Sequence, residues 1–215
     1  MRFKAALFDM DGTLVNSERV YAISLRLALD ELGITISDEL SMNLTYGYAW
    51  STVYQNIIKR YPGAAIGEEE LDNKLTKHFE DIKRQQPSAF IIDGSKEVLQ
   101  KLSSDIPVAI VSGSPRQHLA KFVKVLNVEK NIQFYLGTED YPDGKPAPTP
   151  YLYAAKKIGV DPKDCIVFED STVGIISAKK AGMYCVAIKI PGAFEQDTSQ
   201  ADEVVQNLED WYQNK

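Results

Sequence analysis

Phe3-Lys4-Ala5-Ala6-Leu7-Phe8-Asp9-Met10-Asp11-Gly12-Thr13-Leu14 is a short apolar run that stops on two aspartates and a glycine. A continuous rather than alternating run suits a strand covered on both faces, as in a parallel sheet. Asp-Gly then marks the turn that ends it. Four further runs of this kind follow: Pro107–Val111, Gln133–Leu136, Cys165–Phe168 and Tyr184–Ile188. Helical patterns fall between the later ones. Leu119, Phe122, Val123 and Leu126 repeat at helical spacing, as do Leu152, Ala155 and Ile158. Thr149-Pro150 supplies a cap followed by proline at the first helical position. Ser114 before Pro115 reads as a second cap of this kind. Thr172–Ala181 stops at Gly182, a common helix end. Alternating strands and helices predict an α/β fold with a doubly wound parallel sheet.

The stretch from Ser17 to about Pro87 breaks the alternation. It holds no strong strand. Val20, Ile23 and Leu27 form one helical stripe, with Ser17 as its cap, and Leu71, Leu75, Phe79 and Ile82 form a cleaner one. Tyr46, Tyr48, Trp50 and Tyr54 lie between them, and Tyr61-Pro62-Gly63 marks a turn. The expected organisation is an α/β core of residues 1–16 and 88–215, interrupted by an all-helical unit of residues 17–87.

Composition bounds the function. The 215 residues are 44% hydrophobic and 25% charged, ordinary for a soluble domain. No apolar run approaches the ~20 residues that cross a bilayer, and the start is too soon interrupted by Asp9 for a signal peptide. A cytoplasmic protein is expected. The formal net charge of −6 argues against nucleic acid as a partner. Cys165 and Cys185 lack metal-ligand spacing and read as buried thiols.

Ligands of open α/β sheets bind beyond the carboxyl ends of the strands. Asp9 and Asp11 stand at one such end. At another, Val111 runs into Ser112-Gly113-Ser114-Pro115, where a hydroxyl and backbone N–H groups make a natural anion cradle. Gly144-Lys145-Pro146 fixes a lysine on a stiff backbone, although a solvated loop lysine is the commoner outcome. It is no Walker loop, because proline follows and no glycine lies five residues before Gly144. The run Cys165–Phe168 ends in Glu169-Asp170. Four carboxylates gathered at one place need compensation, and an oxygen-only donor set suits magnesium.

These four motifs in this order resemble the haloacid-dehalogenase-like hydrolases. The resemblance is to the branch with a helical cap, close to β-phosphoglucomutase and to phosphoglycolate and sugar-phosphate phosphatases. It covers essentially the whole chain. It implies a Rossmann-like core with an inserted helical cap that closes over the site and selects the substrate. It implies Asp9 as a nucleophile that forms an aspartyl-phosphate, and Asp11 as the acid and then the base. It implies that the Asp9 carboxylate, the Asp11 carbonyl, Asp170 and Glu169, directly or through water, hold magnesium. Ser112, Gly113 and Lys145 would bind the phosphoryl group. Tyr46, Tyr48 and Trp50 are candidates for substrate contact from the cap, with cap packing as the rival reading.

The expected function is magnesium-dependent hydrolysis of a small phosphorylated metabolite by a monomer that binds neither nucleic acid nor membrane. Two enzymatic alternatives exist within the resemblance. A dehalogenase would lack the second aspartate of the first motif, and Asp11 is present. A β-phosphoglucomutase-like enzyme would resemble its kind in a cap histidine where Tyr21 stands here, and in a cap arginine. No arginine lies between Arg26 and Arg60, although Arg116 could partly compensate. From another class, a non-catalytic regulator would have little use for intact motif residues.

Overall fold

The computed structural model describes residues 2–45, 50–63, 66–189 and 196–214. Among them, two compact units form. One comprises residues 2–15, 91–189 and 196–214, and the other 16–45, 50–63 and 66–90.

The first unit is an α/β sandwich. Its described strands are β1 (Ala5–Phe8), β2 (Val108–Val111), β3 (Phe134–Leu136), β4 (Cys165–Glu169), β5 (Tyr184–Ile188) and β6 (Glu203–Val205). They form one parallel sheet in the order β3-β2-β1-β4-β5-β6. The chain winds outward from β1 in one direction and then, from β4, in the other. The switch therefore falls between β1 and β4, where such sheets open a crevice.

Register turns that topology into a site. Phe8 pairs with Ile110 on one side and with Phe168 on the other. The strand ends at Asp9, Val111 and Glu169 consequently emerge at one level.

Both faces of the sheet are covered, as the continuous apolar runs require. On one face Leu7, Val111, Val167 and Cys185 pack with Tyr151, Ala154, Ile175 and Ala178. The latter come from α7 (Thr149–Ile158) and α8 (Thr172–Lys180). On the opposite face Phe8 stacks on Phe168 at 4.6 Å, and Phe168 meets the edge of Trp211 at 4.8 Å. Trp211 belongs to α9 (Leu208–Gln213), which packs on α5 (Ser95–Ser103). Each such fully buried aromatic contributes about 1.5–3 kcal/mol. The remaining helix of this unit, α6 (Arg116–Leu126), buries Leu119, Phe122, Val123 and Leu126 as the spacing predicts. Both cysteines are free and buried, and burial pushes their thiols up to about 11 for Cys165 and about 12 for Cys185.

The second unit is helical: α1 (Ser17–Asp30), α2 (Asp38–Thr45), α3 (Trp50–Arg60) and α4 (Glu68–Gln85). Leu25, Leu29, Leu44, Val53, Ile57, Leu71 and Leu75 form its core. Three glutamates open α4 and Lys83 and Arg84 close it, in the sense that suits the helix dipole.

Several expected details shift. Asn16, not Ser17, caps α1, accepting the Arg19 N–H. Ile23 and Leu27 are only half-buried, because the inward face of α1 runs through Val20, Ser24, Leu25, Ala28 and Leu29. In α7 the buried face runs through Tyr151, Ala154 and Ala155, and Leu152 is 39% exposed. Ser114 caps nothing: α6 begins at Arg116, with Pro115 at its cap position and no side-chain cap bond. No described helix is long and apolar enough to cross a membrane.

Candidate active site

The turn after β1 folds around one carbonyl. The Met10 oxygen accepts from the N–H groups of Thr13, Leu14 and Val15, while Gly12 N–H donates to Val15 O. Gly12 has φ +86°, which only glycine adopts without strain, and a Cβ there would collide with the Asp170 carboxylate. Glycine is thus what allows the β4 end to lie against the β1 end. The approach is completed by Asp9 N–H on Phe168 O at 2.9 Å and by the Thr13 hydroxyl on Asp170 Oδ1 at 3.3 Å.

Lys145 joins the two strand ends. Its Nζ donates to Asp9 Oδ1 at 2.6 Å, to Glu169 Oε1 at 2.5 Å and to Val111 O at 3.1 Å. An ammonium has three donors, and all three are engaged. The side chain is only 7% exposed, so the reading of a solvated loop lysine fails.

Glu169 is fully buried. Its Oε1 accepts from Lys145 and from the Tyr151 hydroxyl. Its Oε2 accepts from Asp170 N–H, Ser171 N–H and the Ser171 hydroxyl. This is an anion seated on the first turn of α8. A Cβ at Gly174 in that turn would collide with Glu169 Oε1.

Ser112 is buried at the end of β2, its N–H on Leu136 O and its carbonyl accepting from the Tyr141 hydroxyl. Its Oγ accepts the Ser114 N–H at 3.0 Å. Gly113 beside it is exposed, with open space where a Cβ would be. The Ser114 hydroxyl donates to Asp11 Oδ2 at 2.8 Å.

Charge at this place is unbalanced. Carboxylate oxygens of Asp9, Glu169 and Asp170 lie within 4.8 Å of one another, all three residues buried. One ammonium offsets them. Burial first, then the charges of Glu169 and Asp11, push Asp9 up to about 8 although Lys145 opposes this. Burial, with Asp9 and Glu169, holds Asp170 well above the ordinary carboxylate value. Burial disfavours the Lys145 ammonium too, but Asp9 and Glu169 outweigh it and hold its pKa well above the usual value. A divalent cation on these oxygens would relieve the repulsion, and the all-oxygen donor set fits magnesium. Asp9 and Asp170 each accept only one of the side-chain hydrogen bonds described above, which leaves them lone pairs for a metal. Glu169 spends its lone pairs on five hydrogen bonds, so a direct metal bond from it would cost some of them.

A family model described as haloacid dehalogenase-like hydrolase matches residues 6–188. The chain belongs to the haloacid dehalogenase-like hydrolase family. It is 28% identical over 96% of its length to validoxylamine A 7'-phosphate phosphatase of Streptomyces hygroscopicus subsp. limoneus, covering 94% of that protein. It is 29% identical over 95% of its length to a probable pseudouridine-5'-phosphatase of Drosophila melanogaster, covering 90% of it. Among solved structures it resembles a HAD family hydrolase of Deinococcus radiodurans R1 with bound phosphate and sodium. There the TM-score is 0.78 at 24% identity, over 98% of this chain and 93% of the other.

Of the residues the sequence singles out in this hydrolase, Asp9, Asp11, Ser112, Lys145, Glu169 and Asp170 lie together in the first unit. Trp50 opens α3 in the second and packs, half-buried, against that unit's own core. Tyr46 and Tyr48 lie outside the described residues. His78 lies in the second unit, against Glu31, and His118 lies by the Phe122 ring. The sequence reading missed Tyr151, Ser171, Gly174 and the Ser114–Asp11 bond. Ser171 was detectable, as a serine three residues before a glycine at a helix start. Tyr151 carried no signal, since it lies inside a helix with an apolar repeat.

Proposed function

We propose that this family member is a magnesium-dependent phosphatase that hydrolyses a small phosphorylated metabolite through an aspartyl-phosphate on Asp9. The observation that carries this reading is Lys145 bridging Asp9 and Glu169 beside Asp170, at the switch point of the sheet. The phosphatase names of the two curated relatives support the reaction class.

Asp9 attacks phosphorus, and the bond to the leaving oxygen breaks. Asp11 gives that oxygen its proton. In the second step water attacks phosphorus, Asp11 takes the water proton, and the bond to Asp9 breaks, releasing phosphate. Lys145 holds Asp9 by one oxygen and, by exchanging one of its present acceptors, would join Ser112 and Gly113 on the phosphoryl oxygens. Asp9, Asp170 and the Asp11 carbonyl would hold magnesium, with Glu169 orienting Lys145 and the β4 end from behind. When bound, the cation neutralises phosphoryl charge and favours ionised Asp9, which burial alone disfavours.

Two observations argue against the mutase alternative. The Tyr21 phenol is pushed up to about 12 by burial and Asp72, too weak an acid to shuttle protons. Arg116 is committed to both oxygens of Asp140 and to Tyr135 O.

The test is phosphate release from p-nitrophenyl phosphate and a panel of phosphorylated metabolites, with magnesium and with chelator. Release is expected only with magnesium, and Asp9→Asn should lower it by at least ~10³-fold while the protein stays folded. Full activity in excess chelator, or in the Asn variant, would falsify this assignment. Isomer formation that depends on a bisphosphate would favour the mutase.

A further inference from the structure

We propose that Ser114 is a positioning residue that holds the Asp11 carboxyl in place for its part in hydrolysis. This rests on the acid–base role of Asp11 given above. The Ser114 hydroxyl donates to Asp11 Oδ2 at 2.8 Å. That bond ties the Asp11 carboxyl to the turn after β2.

Ser114 is itself held on its backbone. Its N–H donates to Ser112 Oγ at 3.0 Å, and its carbonyl accepts from Thr138 N–H at 3.2 Å. A Cβ at Gly137 would lie 2.7 Å from that carbonyl, so glycine there lets the chain after β3 press against it. A donor fixed this way does more than a mobile one, because orienting a reacting group is worth large factors in rate. The bond also explains a sequence feature that helix capping does not, since Ser114 caps no helix.

The steps balance on the Asp11 carboxyl. As the Asp9–phosphorus bond forms, the leaving oxygen takes the electron pair of its broken bond and the Asp11 proton. As water adds, its proton passes to Asp11 and the Asp9–phosphorus pair returns to Asp9.

The test compares phenyl phosphate with p-nitrophenyl phosphate on the magnesium-loaded enzyme. Phenolate resembles the tyrosine side chain, with a conjugate-acid pKa of about 10, and needs protonation to leave. Nitrophenolate is a far weaker base and leaves without it. Ser114→Ala, and Ser114→Cys as a same-shape variant with a weak donor, should lose about tenfold or more in kcat on phenyl phosphate. On p-nitrophenyl phosphate the loss should stay within about threefold, with KM little changed. Ser114→Thr, which keeps the donor, should recover most of the rate. Equal losses on both esters, alongside an Asp11→Asn variant that does discriminate between them, would overturn the Ser114 role and leave the Asp11 role standing. An Asp11→Asn variant that fails to discriminate would overturn both. A wild-type enzyme that releases phosphate from neither ester nor any phosphorylated metabolite would sink the phosphatase reading itself.

Discussion

Glu169 illustrates how one residue can matter without touching a substrate. Its carboxylate accepts five hydrogen bonds, and the Tyr151 hydroxyl supplies one of them from a fully buried ring lying 5.1 Å from Lys145 Nζ. Hydrogen bonds to buried charged groups contribute about 1.5–3 kcal/mol each. Tyr151→Phe removes one such donor and keeps the ring under Lys145. We expect a loss of that order in urea unfolding, with kcat reduced because Lys145 and Glu169 are less firmly held. Unchanged stability and unchanged kcat would mean that Lys145 and the α8 turn suffice for Glu169. Lys145 was legible only through the family resemblance, since its glycine and proline neighbours alone leave a solvated loop lysine as the commoner outcome. Tyr151 was not, because the apolar repeat of its helix pointed to Leu152 as the inward residue. Only the crossing of α7 over β1 and β2 reveals which side of the helix is buried.

At the scale of elements, the first turn of α8 links stability to the site. Replacing a helical glycine by alanine ordinarily stabilises by up to about 1 kcal/mol. Gly174 should behave in the opposite sense, because a Cβ there meets Glu169 Oε1. Gly174→Ala should lower the melting temperature and the activity together. A higher melting temperature would show that the Glu169 carboxylate can move aside, and would weaken its orienting role. The strands β1, β2, β4 and β5 were legible because residues buried on both faces leave unbroken apolar runs. The short edge strand β6, Glu203–Val205, was not, since Val204 is 49% exposed and three residues give no period to read. Sheet order was equally hidden in the residues: β1 lies between β2 and β4 through pairings far apart in sequence.

At the scale of the whole molecule, the site couples folding to protons and to metal. An unfolded aspartate loses its proton near pH ~3.9, whereas burial keeps Asp9 protonated in the folded, metal-free protein up to about 8. Between those values the folded state holds more protons than the unfolded one. Stability therefore falls as pH rises through that window, and Asp170, raised for the same cause, acts in the same direction. Magnesium binds ionised carboxylates and so competes with these protons. Its stabilising effect must grow as the pH rises from 6 to 8, while Lys145, with its pKa held high by Asp9 and Glu169, stays charged throughout. One proton displaced per ion corresponds to about 1.4 kcal/mol per pH unit, or roughly 3–5 °C in melting temperature for a chain of this size. Melting curves at pH 6, 7 and 8, each with magnesium and with chelator, measure this difference directly. Taking the difference at each pH removes surface groups that titrate alike in both conditions. A gap of constant size from pH 6 to 8 would mean that the ion displaces no proton, and that Asp9 and Asp170 are not its ligands.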